Sequence, residues 1–119
     1  MIVGSMSEPT LCPYFIELIK YLKRRNIKIE ICTNGDTRDD IFWKELSSLL
    51  DSNDLVFFTI CGSTQKIHEK YRKNTSLKKI LHNASVFRDK YKKNDYAQCI
   101  RFNYNSDNLD SNEFKILVK

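Results

Sequence analysis

The chain has 119 residues, 41% hydrophobic and 29% charged, a size and balance that suit one packed core and exclude a disordered tail or two domains. Its formal charge is +5, but the cations gather at Lys20 to Arg25, Lys66 to Lys73 and Arg88 to Lys93, beside predicted helix ends where they complement the helix dipole. With no nucleic-acid motif beside them, no nucleic-acid partner is expected. No apolar run approaches the length of a bilayer and no basic-then-apolar leader opens the sequence, so no membrane partner is expected and the expected location is cytoplasmic.

In chain order, Met1 to Gly4 reads as the stub of a strand, and Pro13 suits the first turn of a helix. Phe15, Leu18, Ile19 and Leu22 recur at helical spacing, and Lys23 to Asn26 end that helix. Ile27, Ile29 and Ile31 alternate as a strand closing at Thr33-Asn34-Gly35. A second helix carries Ile41, Phe42, Leu46, Leu49 and Leu50 on one face, and 51–54 turn the chain into the apolar strand Leu55 to Ile60. A helical turn from Gln65 to Tyr71 precedes a longer helix with Leu77, Ile80, Leu81, Ala84, Phe87 and Tyr91 on its buried face. Gln98 to Tyr104 form the last strand, and Asp110 or Ser111 caps a final helix.

Strands alternating with helices predict parallel α/β architecture with right-handed crossovers, and the unbroken apolar run 55–60 predicts a sheet covered on both faces. Such folds carry their chemistry beyond the C-terminal ends of the strands. Three segments fall there. Glu8 follows a strand and precedes a proline, so its carboxylate or neighbouring carbonyls are placed to accept from an ammonium group; a Ser-Glu-Pro turn is the plain alternative. Thr33-Asn34-Gly35 offers short polar side chains and permissive backbone, or a simple strand-to-helix turn. Thr59 offers a hydroxyl that both donates and accepts, while Cys61 reads as a small buried residue.

His68 and Arg72 stand four apart and share a helix face. Arg72 suits a bidentate carboxylate contact, or plain solvation. Arg101 and Asn103 alternate toward one face of the last strand. His68 and His82 lack partners at catalytic or metal spacing, and the four cysteines, Cys12, Cys32, Cys61 and Cys99, are too scattered for a cluster loop, zinc knuckle or redox pair. No catalytic residue and no metal ligand is assigned. Dispersed cysteines fit reduced thiols rather than a disulfide framework.

The run Gly4-Ser5-Met6-Ser7-Glu8-Pro9, with Cys32-Thr33-Asn34-Gly35 and Thr59-Ile60-Cys61-Gly62-Ser63 downstream, resembles the core of the radical S-adenosylmethionine enzymes. The resemblance runs nearly end to end and includes Gly62 to Arg72. It implies a partial β/α, TIM-like barrel, of which 1–119 would be an internal piece without the first strand, the cluster loop and the last strands. In that family a Gly-Gly-Glu-Pro motif, matched here by Met6-Ser7-Glu8-Pro9, holds the methionyl amine. The resemblance thus assigns Ser7, Glu8, Asn34, Thr59 and Arg72 to S-adenosylmethionine. The family's four-iron four-sulfur cluster sits on a Cys-x3-Cys-x2-Cys loop that this chain lacks. No cluster is therefore expected in the chain alone, and catalysis would need an upstream segment or a separate chain carrying that loop. Missing strands would leave exposed sheet edges and favour self-association. The rival expectation is a small α/β binding or interaction module with a vestigial adenosine-ligand rim.

Overall fold

A computed structural model describes residues 1–4, 7–89, 95–98 and 105–117. Four strands, β1 (Ile2–Val3), β2 (Glu30–Thr33), β3 (Leu55–Thr59) and β4 (Asp95–Gln98), form one parallel sheet in the order β1-β2-β3-β4. The helices between them are α1 (Phe15–Arg24), α2 (Asp40–Leu49), α3 (Gln65–His68) and α4 (Leu77–Asp89), followed by α5 (Ser106–Asp110) and α6 (Asn112–Leu117). Parallel neighbours cannot be joined by a tight hairpin, so every connection carries helix. The expected parallel α/β architecture is what the chain adopts.

Local chemistry starts these helices. Asp39 accepts from the Phe42 amide at 3.0 Å, Thr64 from Ile67 at 3.3 Å, and Ser111 from Phe114 at 3.2 Å, each satisfying a donor that the first helical turn leaves unpaired. Ser111, of the two expected caps, is the one that starts α6. Pro13 lies ahead of α1 rather than in its first turn, and it is Pro9 that opens a single 3-10 turn, Pro9–Leu11.

One face of the sheet holds the core. Ile31, Thr33, Val56 and Phe58 are buried, and their alternates Glu30, Cys32, Leu55 and Phe57 are half-buried. A chain of ring contacts crosses from α1 through α2 to the sheet and α4: Phe15 to Phe42 at 6.0 Å, Phe42 to Trp43 at 5.2 Å, Trp43 to Phe58 at 5.4 Å and Phe58 to Phe87 at 6.2 Å. Aromatic pairs at these separations add to the apolar area that they bury. The helices α1, α2 and α4 thus share one side. On the second face Glu30, Cys32, Leu55 and Phe57 are more exposed than their neighbours but still half-buried.

Two helix faces also differ from expectation. Leu18 and Ile41 are exposed, and Trp43 takes the fully buried place on α2. The burial stripe of α2 runs through Phe42, Trp43, Leu46 and Ser47, which turns Ile41 outward by helical geometry. Among the described residues the last strand covers Asp95–Gln98, with Gln98, the first residue of the expected strand, opposite Thr59. Tyr91, Cys99, Arg101 and Asn103 lie outside the described residues.

At the opposite end of the strands, buried Asp54 fixes the starts of β2 and β3. It accepts from the Ile29 amide and the Asp51 amide, each at 2.9 Å. Lys23 lies 2.8 Å from both Asp54 and Asp51. Burial alone would lower the Lys23 ammonium, but the hydrogen bonds to Asp51 and Asp54 hold it above its ordinary value. A paired and hydrogen-bonded carboxylate is the form in which such a charge tolerates burial.

Candidate functional site

Because the sheet is parallel, the loops after β1, β2 and β3 emerge at one rim. Glu8 joins the first two. Its Oε1 accepts from the Thr10 amide at 3.2 Å, the Thr10 hydroxyl at 2.5 Å and the Thr33 hydroxyl at 2.7 Å, and its Oε2 accepts from the Asn34 amide at 2.6 Å. Thr33 in turn accepts from the Gly35 amide at 3.0 Å. Since the Thr10 hydroxyl gives its single hydrogen to Glu8, its contact with Thr37 is donated by the Thr37 hydroxyl. Thr10 and Thr33 are both buried.

Around this carboxylate the backbone is bound from outside. Arg38 donates to the carbonyls of Thr10 at 2.6 Å and Cys12 at 3.0 Å. Asn83, buried on α4, donates to the carbonyls of Gly35 at 2.8 Å and Thr37 at 3.2 Å, and the Trp43 indole also donates to Thr37 at 3.0 Å. Gly35 has φ +77°, and a Cβ there would stand 2.5 Å from the Phe58 ring. Only glycine fits such a position. Gly4, at φ +91°, meets the Cys32 carbonyl in the same way at 2.2 Å.

The third loop is built on a histidine. Nδ1 of fully buried His68 accepts from the Cys61 amide at 3.0 Å, so the neutral ring carries its proton on Nε2 and donates to the Thr75 hydroxyl at 2.9 Å. Thr75 passes its own hydrogen to the Arg72 carbonyl at 2.5 Å. Burial holds the His68 imidazole below its ordinary value of 6.5; the Arg72 guanidinium adds to this, and Asp36 and Glu69 oppose it. On the far side, Asn108 and Ser63 exchange two bonds, at 2.8 and 2.7 Å, and Asn105 donates to the Cys61 carbonyl at 3.2 Å.

Of the residues singled out by sequence, Glu8 and Asn34 are brought into direct contact. Ser7 is exposed just ahead of Glu8, and Thr59 is buried at the end of β3. Arg72 belongs to the His68 cluster: its amide donates to the His68 carbonyl at 3.1 Å, its guanidinium lies 4.9 Å from the Tyr71 ring centroid, and its buried Nε has no partner. Sequence reasoning missed Thr10, Thr37, Arg38 and Asn83. The one local signal was Glu-Pro-Thr, an acceptor before a helical-turn proline.

Among the described residues no group of three His, Cys, Asp or Glu side chains is placed to hold a metal ion. Cys12 is exposed, Cys32 is half-buried and Cys61 is buried. Burial pushes the Cys32 thiol up, and Glu30 adds to it, which disfavours the thiolate that ligation requires. Nor is any helix among the described residues long and apolar enough to cross a membrane.

No protein-family model matches the chain. A segment of 57 residues is 37% identical to the tungsten-containing aldehyde ferredoxin oxidoreductase cofactor-modifying protein of Pyrococcus furiosus. The match covers 48% of this chain and 15% of that protein.

The network around Glu8 sets the expected cost of losing it. Glu8→Ala leaves the Thr33 hydroxyl and the Asn34 amide without their acceptor, and hydrogen bonds to charged groups contribute about 1.5–3 kcal/mol each. Urea unfolding should show a loss of about 3 kcal/mol or more. His68 predicts a pH dependence. Below about pH 6.5 the unfolded chain binds a proton that the folded chain resists, so stability falls with pH by at most about 1.4 kcal/mol per unit, then levels below the folded value. His68→Asn, which keeps an acceptor for the Cys61 amide, should remove that slope in unfolding curves recorded across pH.

Proposed function

We propose that the chain is an arc of a radical S-adenosylmethionine type β/α barrel whose strand-end rim meets the methionyl end of the cofactor. The observation that carries this reading is the Glu8 carboxylate bonded across to Thr33 and Asn34, which joins two of the three motif-bearing loops at one edge. The sheet order supports it as well: β1-β2-β3-β4 runs without reversal, as around a barrel, whereas a doubly wound sheet switches direction.

In this reading Glu8 is a positioning residue. Its oxygens already accept four hydrogen bonds from the protein, so an ammonium group would be met by loop carbonyls near Ser7 and by the Asn34 side chain. Thr59 would offer its hydroxyl to the ribose or carboxylate, and Arg72 its guanidinium to the carboxylate. In the complete family the cluster-bound cofactor supplies radical chemistry that removes a substrate hydrogen. In this reading the cluster would be held by an upstream segment or another chain. The Pyrococcus protein is named for modifying the cofactor of an oxidoreductase, which makes such a bound cofactor the substrate class to try first.

The saturation of Glu8 also favours a second reading, an α/β binding or interaction module in which the same loops serve structure alone. NMR titration with S-adenosylmethionine separates the two. The cofactor reading expects weak binding, because the few available hydrogen bonds contribute about 0.5–1.5 kcal/mol each. Amide shifts should centre on Asn34, Gly35 and Thr59 to Gly62, and an Asn34→Ala, Thr59→Ala variant should reduce them. Shifts confined to Lys23, Arg24 and Arg25, or none near saturation, would leave the module reading. Anaerobic reconstitution with iron and sulfide should yield well under one cluster per chain; a stable stoichiometric cluster would refute the separation of cluster from rim.

A further inference from the structure

One short segment holds a charge excess as large as that of the whole chain. Residues 66–79 contain six cations, Lys66, Lys70, Arg72, Lys73, Lys78 and Lys79, and one acid, Glu69, an excess equal to the +5 of all 119 residues. The rest of the sequence is balanced. Lysines there meet acids within the fold, Lys20 reaching Glu45 at 3.1 Å and Lys28 reaching Glu30 at 3.6 Å.

Hydrogen bonds close this segment into a lobe beside the third rim loop. The Gln65 side chain donates to the Thr75 carbonyl and accepts from the Leu77 amide, each at 2.8 Å, and His68 donates to the Thr75 hydroxyl. Gln65 also donates to Glu69 at 3.1 Å. Lys66, Lys73, Lys78 and Lys79 are exposed on the lobe, and Tyr71 is 43% exposed. Helix stability does not account for the last two lysines. Ser76 starts α4 by accepting from the Lys79 amide at 3.2 Å, and the third residue beyond such a cap is where Glu or Gln returns a bond. Lys79 stands there instead, Lys78 precedes it, and the first turn of α4 holds no acid. The dipole that favours cations at the other end of a helix counts against both. A local rule broken in this way is expected where a surface serves function.

We propose that this lobe docks the acidic surface of a protein partner. Complementary charge steers the encounter and fixes its orientation. Tyr71, with the Arg72 guanidinium carbon 4.9 Å from its ring centroid, adds the two residue types that protein interfaces favour. A protein suits the lobe better than a nucleic acid does. Tyr71 is the one aromatic ring of the Phe, Tyr or Trp kind in the segment, whereas single strands are held by successive stacking rings.

The probe is poly-L-glutamate, titrated by NMR against the whole chain at low salt. No S-adenosylmethionine is present, so the outcome stands apart from the cofactor reading. Binding is expected, with amide shifts gathered in 65–80 and an affinity that falls as salt rises. The triple variant Lys73→Gln, Lys78→Gln, Lys79→Gln should weaken it about tenfold, as the loss of three exposed ion pairs would. Lys20→Gln, Lys28→Gln, Lys44→Gln removes the same charge elsewhere and should leave it nearly unchanged. Lys78→Glu, Lys79→Glu should weaken binding yet raise the melting midpoint, because acids suit that helix end; a purely structural role would not split the two signs. No binding, equal losses in the two triple variants, or tighter binding to a single-stranded oligonucleotide of equal charge would overturn the proposal.

Discussion

A single carboxylate holds the first strand of this sheet in place. β1 contributes two residues to the ladder, Ile2 opposite Glu30 and Val3 opposite Ile31, too few to fix a register by backbone bonding alone. Beyond Gly4 the chain returns at Glu8 and bonds Thr33 and Asn34, which lie 25 and 26 residues away in sequence. The carboxylate thereby fixes β1 to β2 at the far end of the ladder. It also tethers the 3-10 turn that leads into α1 through Thr10. Withdrawing it would strand buried hydroxyls as well as a loop amide, which makes the interaction more expensive to break than its net contribution suggests.

The two ends of the strands are secured by different chemistry. At the starts, Asp54 is paired with Lys23 and bonded to backbone amides. At the ends, Glu8 accepts from hydroxyls and amides whose hydrogens all point inward, with no cation among the donors. Between them the aromatic contacts from Phe15 to Phe87 tie three helices to one side of the sheet. The second face carries half-buried Glu30, Cys32, Leu55 and Phe57, a surface of mixed character adjoining the rim. Loops on a rigid scaffold are a common location for binding.

The features legible in the sequence were the local ones. Alternation at Ile27, Ile29 and Ile31, helical spacing from Phe15 to Leu22, and the cap at Ser111 all reflect forces acting within a few residues. Leu55 to Ile60 read as a strand for the same reason, but that run does not say how far Phe57 is covered. Ile41 and Trp43 illustrate a second limit: both are apolar and only two positions apart, and the packing of α2 against α4 decides which turns inward. Apart from Thr10 beside Glu8, the side-chain pairings of the rim were not legible. Asn83 binds Gly35 across 48 residues and Ser63 binds Asn108 across 45, and no periodicity records such pairings.

The rim's own hydrogen bonding narrows what it can offer a ligand. The carbonyls of Thr10, Cys12, Gly35, Thr37 and Cys61 each accept from a side chain of the protein, and the Cys61 amide is given to His68. Beside this network, among the described residues, stand the exposed Ser7, the half-buried Asn34 and the buried Thr59 at the end of β3. A ligand cation would therefore gain little from Glu8 itself, whose charge is already shared among four donors. It would gain more from dipoles that Glu8 orients, because a group held in place beforehand loses less freedom on binding. The same division applies at His68, which is neutral and committed at both nitrogens. Both titratable side chains act by fixing loops, so any affinity of the rim depends on how rigidly those loops are held.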